Sequence, residues 1–463
     1  MARVWQPSRR ATIAPVVPPT PPRGVRGLDP GRPLVGRLRP PGSKSLAQRA
    51  LVCAALADGR TRVEGLSDGE DVRAALAALR AVGAELDELA PGALSVVGRS
   101  PAAGGWRALG PVAVGESGTL ARLVTAALGL AGAPGAAAEV RPAGSLRRRA
   151  STALVRALAG AGCAPRSLAP GGTWPLALRA AAPPAEVLLV EPGSSQEASA
   201  LLIALAAHEQ AGRLRVRGPI PSRPYLEMTL AVLARFGARV ARAEEPDGER
   251  FDLRGPLVAP AQPFALEADA SAAAVALAAG CLSGGAVTVE GVGRGSLQGD
   301  ARIVAHLRAF GCAASAGEAT LAARGRPTRG AEVDLCGEPD LAPVLAAIAG
   351  GAALAGHSSR LGGLGTLEGK ESPRLSVLAA ALAQLGLAVE AGADFLRVGP
   401  GAGRAPAGEL VLDPRGDHRM AFAFALLGLL RPGLRVRDPG CVAKSWPSFW
   451  EDLGRLARTG GAQ

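Results

Sequence analysis

The sequence predicts an α/β fold of six similar units, each about 75 residues long, arranged as two domains of three units. One observation is the spacing of glycines that end amphipathic helix patterns: Gly83, Gly162, Gly237, Gly311 and Gly386 lie 79, 75, 74 and 75 residues apart. A second is that strand-forming residues and a Gly or Pro turn precede each such helix. A third is a nearly all-apolar helix pattern within most units, which is typical of a buried helix.

The chain begins with a segment that is predicted to lie outside the fold. Residues 1–27 are basic and rich in proline, a composition that disfavours a packed core and indicates a disordered extension. The repeated pattern starts after this segment. A Pro-rich stretch, LVAPAQPF, indicates a boundary between the two domains near residue 262.

The elements of the six units can be assigned in chain order. The pattern of strand, turn and amphipathic helix occurs at residues 60–86, 137–163, 212–240, 285–314, 358–386 and 434–456. The nearly all-apolar helices are predicted at residues 45–57, 119–132, 197–207, 270–280, 341–354 and 418–430.

Composition narrows the class of protein. The net charge is +12, but the charges are spread along the chain and only 3% of the residues are aromatic, which disfavours a nucleic-acid groove. No uncharged apolar run is long enough to cross a membrane. The six cysteines are scattered, without a C-x-x-C pair, which favours reduced thiols in a cytoplasmic protein with no metal centre.

The basic residues are strongly skewed towards arginine. Of the 52 Lys and Arg residues, only Lys44, Lys370 and Lys444 are lysine. Lysine is a compact point donor with an adjustable pKa, so a lysine retained in such a chain is a candidate for a task that arginine cannot perform. Each lysine lies at a predicted strand-to-helix turn beside a serine, which favours a functional role over chance survival of a base-composition bias.

Short polar clusters precede several of the apolar helices. They are PGSKS, GESGT, EPGSSQ, GEPD and RGDH. Helix N-termini carry free N–H groups and a partial positive charge, so they bind anions readily. One such cluster alone would be explained by helix capping. Several of them, with cations beside them, indicate a site for small anionic substrates.

Two of the clusters suggest specific helix starts, and two carboxylates stand near them. Ser45 is expected to cap the first apolar helix, and Ser372 to cap a helix that starts at Pro373. Asp340 and Glu371 can each serve as a proton acceptor. From the residues alone, a helix cap for Asp340 and a simple ion pair for Glu371 are equally acceptable explanations.

These motifs, in this order, resemble the enolpyruvyl transferase family over residues 28–456. The motifs that carry the resemblance are PGSKSLAQRAL, GESGTLARL, EPGSSQEASALL, PSRPYLEMT, GRGSLQGD, KESPRL, GDHRMAF and AKSWPSFW. The opening motif, with serine after the lysine, is similar to the members of the family that act on shikimate 3-phosphate.

The resemblance implies a fold of two inverse α/β barrels, each of three βαβαββ-type repeats, with helices inside and sheets outside. Residues 28–41 and 262–456 would form one domain and residues 42–261 the other, with the active site in the cleft between them. The reaction it implies is transfer of the enolpyruvyl group of phosphoenolpyruvate to the 5-hydroxyl of shikimate 3-phosphate, with release of phosphate. No cofactor, metal, nucleic acid or membrane is expected, and a monomer is favoured.

The resemblance also assigns roles to individual residues. Lys44, Asp340 and Glu371 would be catalytic. Shikimate 3-phosphate would be bound by Lys44, Ser45, Arg49, Ser194, Ser195, Gln196, Ser222, Tyr225, Asp340 and Lys370. Phosphoenolpyruvate would be bound by Lys44, Gly118, Arg149, Gln196, Arg374, Arg419 and Lys444.

The sequence departs from the family pattern at four positions. Glu116 replaces an asparagine of the glycine loop, Pro373 an aspartate, Thr366 an asparagine found in some members, and Arg223 a frequent lysine. Glu116 places a carboxylate near an anion site, where a neighbouring arginine could neutralise it. None of the four removes a group that the reaction requires.

Three other functions predict different features. A UDP-N-acetylglucosamine enolpyruvyl transferase typically carries Lys-Asn in the opening motif and a cysteine in a mobile loop, and no cysteine lies near GESGT here. An RNA 3′-phosphate cyclase would need a catalytic histidine and a nucleotide site. A basic repeat scaffold without activity would align its cations on one surface and would not need Asp340 or Glu371.

Overall fold

The helices of the chain occur in pairs, one buried and one amphipathic. The computed structural model describes residues 24–28, 31–170, 173–402 and 408–459. The helices in the first half are α1 (Lys44–Leu56), α2 (Glu70–Ala81), α3 (Gly118–Leu130), α4 (Thr152–Gly160), α5 (Ser195–Ala206) and α6 (Arg223–Arg235). Those in the second half are α7 (Ala270–Ser283), α8 (Ile303–Ala309), α9 (Ala342–Leu354), α10 (Arg374–Gln384), α11 (His418–Gly428) and α12 (Phe449–Thr459).

The strands are short and lie between these helices. The first twelve are β1 (Val25–Arg26), β2 (Val35–Leu38), β3 (Arg60–Glu64), β4 (Glu85–Ala90), β5 (Ala93–Val97), β6 (Val112–Ala113), β7 (Ala137–Arg141), β8 (Arg166–Ser167), β9 (Leu176–Arg179), β10 (Glu186–Val190), β11 (Gly212–Arg217) and β12 (Arg239–Glu245). The others are β13 (Gly248–Arg254), β14 (Phe264–Ala265), β15 (Ala286–Glu290), β16 (Ala313–Ala316), β17 (Thr320–Arg324), β18 (Glu332–Asp334), β19 (Ser359–Gly362), β20 (Ala388–Ala391), β21 (Leu396–Gly399), β22 (Leu410–Leu412) and β23 (Leu434–Arg437).

The strands of the described residues form six sheets, which confirms the α/β class. Five sheets have four strands, in the orders β14-β3-β5-β4, β6-β7-β9-β8, β10-β11-β13-β12, β16-β17-β15-β2 and β18-β19-β21-β20, and the sixth has the order β1-β23-β22. Each sheet contains one parallel pair of strands. In four sheets this pair flanks a buried helix, namely α3, α5, α9 or α11.

In the other two sheets the parallel pair joins distant parts of the chain. β2 pairs with β15, and β14 pairs with β3. The segments that follow β2 and β14 run past each other: Asp269 N–H donates to Pro41 O at 2.8 Å, and Ser43 N–H donates to Glu267 O at 2.9 Å. The two halves of the molecule therefore exchange a strand through two adjacent crossovers.

Buried side chains form two separate cores. One extends from Leu46 to Leu266 in the chain. The other combines Leu28 and Leu34 with residues from Ala268 to Leu456. Phe264 and Leu266 belong to the first core, so the change of core falls a few residues after the predicted boundary near residue 262.

The periodicity of each helix explains its position. α2 is amphipathic and buries Val72, Ala75 and Leu79 while its opposite face stays in solvent. α3 and α9 are apolar on all sides and lie within the cores. Their alanines and glycines are small enough for close packing against the neighbouring helices. No helix in the described part of the chain has both the length and the apolar surface that crossing a bilayer requires.

The structure corrects the predicted start of the fold. The extension was predicted to run to residue 27, but Val25 and Arg26 form β1 and pair with β23 at Arg437 and Val436. This pairing covers a sheet edge whose N–H and C=O groups would otherwise lack partners. Residues 1–23 lie outside the described residues.

Candidate active site

A cleft between the two halves collects nearly all of the predicted site residues. It is lined by side chains from both halves of the chain. Of the sixteen predicted residues, fourteen line it: Lys44, Ser45, Gly118, Arg149, Ser194, Ser195, Gln196, Ser222, Tyr225, Asp340, Lys370, Glu371, Arg374 and Arg419. Five further lining residues were not predicted, namely Asp71, Glu116, Ser117, Thr119 and His418.

The first turn of α1 brings Lys44 to the cleft. Ser43, not the predicted Ser45, caps this helix, and its Oγ accepts from Leu46 N–H at 3.4 Å. Ser45 is thereby free to face the cleft from the first turn. Lys44 Nζ lies 3.0 Å from a carboxylate oxygen of Asp71, a buried residue in the first turn of α2. Asp71 was not predicted because acidic residues are common in the first turn of a helix, where Glu70 and Asp71 lie.

Arg49 lies behind the cleft wall. Its side chain is only 1% exposed, and its Nε donates to Thr229 Oγ1 at 2.7 Å. The other two nitrogens donate to the carbonyl oxygens of Ser45 and Tyr225. Burial lowers the pKa of Arg49 to about 10, although the nearby Tyr225 acts in the opposite direction. Arg49 therefore fixes the backbone that presents Ser45 and Tyr225.

The N-terminus of α3 is open to the cleft and flanked by two arginines. Ser117 caps the helix through Leu120 N–H, and Gly118 is its first residue. A Cβ at Gly118 would lie 2.9 Å from Arg122 Nη1 and 3.0 Å from Arg149 Nη2. Glycine at this position lets both guanidinium groups keep their places, because a Cβ would press against them.

The start of α5 supplies the serine and glutamine groups. Ser194 caps this helix by accepting from Gln196 N–H at 3.2 Å. Arg122 Nη1 donates to Gln196 Oε1 at 2.9 Å, which fixes the orientation of this side chain. Arg122 was not among the predicted site residues. Its 5% exposure and these contacts assign it a structural role in the site.

Ser222 and Tyr225 enter the cleft from the start of α6. Ser222 has a left-handed backbone conformation, with φ of 52°, which is uncommon for serine. The hydroxyl of Tyr225 donates to Asp340 Oδ2 at 3.2 Å and so connects the two halves. Burial raises the pKa of Tyr225 well above 10, and the nearby carboxylates of Asp300 and Asp340 add to this effect. Tyr225 is therefore a hydrogen-bond donor at neutral pH.

Asp340 is surrounded by cations. Its two oxygens lie 3.0 Å from Arg374 Nη1 and 3.0 Å from Arg419 Nη2, and Lys370 Nζ is 3.7 Å away. Burial alone would raise the pKa of Asp340, but the charges of Arg419, Lys370 and Arg374 outweigh it and hold the pKa well below the usual value. Asp340 is thus ionised, and it does not cap α9, which begins at Ala342.

Glu371 is a second ionised carboxylate in the cleft. Its oxygens lie 2.9 Å from Lys444 Nζ and 3.0 Å from His418 Nδ1. Burial would raise its pKa, but His418, Lys444 and Arg374 hold the pKa well below the usual value. Lys444 does not line the cleft itself. It is 6% exposed and reaches the site through Glu371 and through the backbone oxygen of Glu116, 3.4 Å from its Nζ.

Asp417, which was not predicted, anchors this side of the cleft. It caps α11 through Arg419 N–H and accepts from Arg374 Nε at 2.8 Å, although it is fully buried. It also accepts from the hydroxyl of Ser372 at 3.0 Å. Ser372 is therefore not the predicted helix cap, and α10 starts at Arg374 rather than Pro373. The RGDH cluster was the available signal for Asp417.

Glu371, Asp417 and His418 could in principle hold a metal ion, because their ligand atoms lie within 4.8 Å of one another. However, the carboxylates already accept from Arg374 and Lys444. These two cationic side chains, within hydrogen-bond distance of the carboxylates, would repel a metal cation at the same place. The donor set is better explained as an ion-pair network than as a metal site.

The four departures from the family pattern leave the centre of the cleft intact. Arg223 forms a bidentate pair with Glu249, at 2.7 and 2.8 Å. Thr366 is exposed and does not line the cleft, and Pro373 precedes α10. Among the described residues Glu116 forms no direct ion pair, but three arginines line a pocket together with it, so its neutralisation by an arginine stays a prediction. Its carboxylate instead accepts from Ser145, through both the hydroxyl and the N–H.

The cationic side chains in this cleft between two α/β halves suit an enzyme that acts on small anions. A family model for EPSP synthase (3-phosphoshikimate 1-carboxyvinyltransferase) matches residues 28–453. The chain belongs to this family. It is a transferase of the shikimate pathway that moves the enolpyruvyl group of phosphoenolpyruvate to shikimate 3-phosphate.

Relatives of known function and solved structures agree with this assignment. The 3-phosphoshikimate 1-carboxyvinyltransferase of Ralstonia nicotianae is 37% identical, over 91% of this chain and 97% of that protein. The same enzyme of Methanoculleus marisnigri is 35% identical, over 89% of this chain and 94% of that protein. The fold is similar to that of EPSP synthase from Acinetobacter baumannii, with a TM-score of 0.73, 24% identity and coverage of 93% and 97%.

An enolpyruvyl transferase from Streptomyces tendae has a similar fold, with a TM-score of 0.66, 19% identity and coverage of 92% and 95%. The alternative function, transfer of the enolpyruvyl group to UDP-N-acetylglucosamine, has less support than transfer to shikimate 3-phosphate. Within the described part of the chain, no cysteine lines the cleft, and the residue after Lys44 is serine.

Proposed function

We propose that the cleft binds both substrates side by side and that Asp340 is the base that accepts the proton of the shikimate 5-hydroxyl. The observation that supports this most directly is the state of Asp340. It is ionised, and its oxygens contact Tyr225 from one half and Arg374 and Arg419 from the other. Asp340 therefore lies where a substrate bound between the two halves would meet it.

Shikimate 3-phosphate is proposed to lie against the starts of α1, α5 and α6. These elements present hydroxyls, N–H groups and Lys44, which suit a phosphate and ring hydroxyls. The residues assigned to it are Lys44, Ser45, Ser194, Ser195, Gln196, Ser222, Tyr225, Asp340 and Lys370, with Arg49 supporting them from behind.

Phosphoenolpyruvate is proposed to lie at the start of α3, facing the cations of the second core. Gly118 leaves room for the ligand, and Arg149 lies beside it. A carboxylate and a phosphate carry several negative charges, and fixed guanidinium groups stabilise them without reorganisation. The residues assigned to it are Lys44, Gly118, Arg149, Gln196, Arg374 and Arg419, with Lys444 supporting them through Glu371.

The reaction then proceeds by addition and elimination. Asp340 takes the proton as the 5-hydroxyl oxygen attacks C2 of phosphoenolpyruvate, while a proton is added to the methylene carbon. Loss of that carbon's proton and of the phosphate then restores the double bond. Because Glu371 is ionised, we assign the proton added to the methylene carbon to the ammonium group of Lys44, and the removal of a proton from that carbon in the second step to the Glu371 carboxylate.

We also propose that each half is an inverse α/β barrel. In the first half α1, α3 and α5 are buried and the sheets surround them, and α7, α9 and α11 have the same position in the second. Residues 42–261 and residues 28–41 plus 262–456 would then be the two domains. A cytoplasmic monomer fits the six cysteines, all of which are unpaired.

The assignment is tested by measuring phosphate release from phosphoenolpyruvate with and without shikimate 3-phosphate. We expect phosphate release to depend on both substrates. Asp340→Asn should lower kcat by about 100-fold or more, because the variant lacks the base. A variant that keeps kcat would refute the role of Asp340. Release with UDP-N-acetylglucosamine in place of shikimate 3-phosphate would favour the alternative enzyme.

A further inference from the structure

The carboxylate of Glu116 lies in the wall of the cleft and makes no direct ion pair within the described part of the chain. It follows β6, two residues before Gly118, and it is only partly buried. Its Oε2 accepts from Ser145 Oγ at 3.2 Å and from Ser145 N–H at 3.4 Å. A carboxylate in this position would be expected to repel an anionic substrate. The direction in which the Glu116 side chain points therefore needs an explanation.

Glu116 points towards the segment that carries Arg149. This Arg149 segment, residues 144–150, forms a short 3-10 turn that ends beside α3. Gly144 has a left-handed φ of 49°, and a Cβ at this position would lie 1.9 Å from Glu116 Oε1. The glycine is therefore needed both for its backbone angle and for the close approach of the carboxylate.

The Arg149 segment is held at both ends by residues of the α3 entrance. At its start, Ala143 N–H donates to Gly115 O at 2.7 Å, and Ser145 donates to Glu116. At its end, Arg122 Nη2 donates to Ala150 O at 3.1 Å. Arg149 lies between these two attachments, with its Nη2 directed at the space above Gly118.

We propose that Glu116 is a positioning residue for phosphoenolpyruvate, which acts through Ser145 and the Arg149 segment without contacting the substrate. The hydrogen bonds to Ser145 turn the carboxylate away from the anion site and hold Arg149 at the start of α3. This inference rests on the proposed placement of phosphoenolpyruvate at Gly118 and Arg149.

The test compares Glu116→Ala, Glu116→Gln, Ser145→Ala and the double variant in steady-state assays. Removing a hydrogen bond to a charged acceptor should raise KM for phosphoenolpyruvate by about three- to tenfold in Glu116→Ala. KM for shikimate 3-phosphate and kcat should stay within about twofold. Glu116→Gln retains an acceptor oxygen and should restore most of the affinity. The double variant should be no worse than the worse single variant, because both act on one contact.

Several outcomes would overturn the inference. A lower KM for phosphoenolpyruvate in Glu116→Ala would show that Glu116 acts as a repelling charge. Equal losses in Glu116→Ala and Glu116→Gln would exclude positioning by a hydrogen bond, and multiplied effects in the double variant would show that the residues act separately. Glu390→Ala, on an exposed ion pair with Arg397, is the matched control and should behave as wild type.

Arg149→Gln separates this inference from the placement of the substrate. If Arg149→Gln raises KM for phosphoenolpyruvate while Glu116→Ala does not, the placement stands and the positioning role fails. If neither variant changes KM for phosphoenolpyruvate, the placement fails as well.

Discussion

At the scale of single residues, the cleft joins a few ionised carboxylates to a larger number of cations. Asp340 and Glu371 each contact at least two cationic groups. The remaining positive charge is available to substrates that carry phosphate and carboxylate groups. The lysines differ from the arginines in geometry, since each supplies a single flexible donor.

Lys44 is the residue for which an arginine should be the poorest substitute. At the start of α1 its Nζ lies 3.0 Å from a carboxylate oxygen of Asp71, a point contact that a planar guanidinium would make in a different geometry. We expect Lys44→Arg to lower kcat/KM by roughly 100-fold while the free energy of unfolding changes by less than about 1 kcal/mol. Steady-state kinetics and urea unfolding measure the two effects. Near-wild-type turnover would contradict the special role of this lysine.

The depressed pKa of Asp340 predicts how stability depends on pH. A carboxylate whose pKa is lower in the folded protein stabilises it above the unfolded-state pKa, about 3.9, and loses this effect as the pH falls through the folded-state pKa. The free energy of unfolding of the ligand-free protein should therefore decrease below about pH 4, and less steeply in Asp340→Asn. Urea unfolding between pH 2.5 and 6 measures this. The exposed Asp87→Asn is the control, and equal slopes in both variants would disprove the prediction.

At the scale of elements, the site is a set of helix starts brought to one cleft. α1, α3, α5, α6, α10 and α11 all present their N-terminal residues there. Their first N–H groups and partial positive charges add to the cationic side chains. This arrangement explains why glycine and serine recur at these positions.

Gly118→Ala should impair phosphoenolpyruvate binding selectively. The added Cβ would meet the guanidinium groups of Arg122 and Arg149 at about 3 Å, and these must move. We expect KM for phosphoenolpyruvate to rise by about tenfold or more, with a smaller change for shikimate 3-phosphate. Gly160→Ala in α4 is the control, because no atom lies within 4 Å of its Cβ, and it should leave both KM values unchanged. An equal rise in both KM values would point to general damage.

The sequence was a good guide to the elements and a weaker one to their ends. The glycine spacing and the apolar runs located the helices, since these patterns depend on local periodicity. The helix caps were less predictable. Ser43 and Ser45 are two residues apart, and only the folded backbone shows which serine accepts a hydrogen bond from the helix. The inward direction of Arg49 and the buried Arg374–Asp417 pair depend on contacts across 180 and 43 residues, which no local pattern contains.

At the scale of the whole molecule, two cores enclose one cleft that is rich in positive charge. Contacts between the halves include Tyr225 with Asp340 and Lys444 with the backbone of Glu116. An anion in the cleft would join cations that belong to different cores. Anion binding should therefore stabilise the position of one half relative to the other as well as the residues that contact the anion.

Inorganic phosphate, a product of the reaction, should raise the thermal unfolding midpoint at millimolar concentration. A ligand at 100 times its Kd adds about 2.7 kcal/mol to the stability of the folded state. Chloride at the same ionic strength should have a smaller effect, and Arg149→Gln should reduce the difference between the two anions. Calorimetry with matched ionic strength measures it. Equal shifts with phosphate and chloride would contradict specific binding in the cleft.

The exchanged strand β2 has a consequence for the order in which the protein is made. β2 is complete after residue 38, but its partner β15 ends at Glu290, and about 250 residues must be synthesised between them. At about 5–20 residues per second, this strand waits for its partner for tens of seconds. The core that contains Leu46 is complete by residue 266, so it can close first. β2, one of the first strands to leave the ribosome, therefore joins its sheet only after all the strands of the first half have been made.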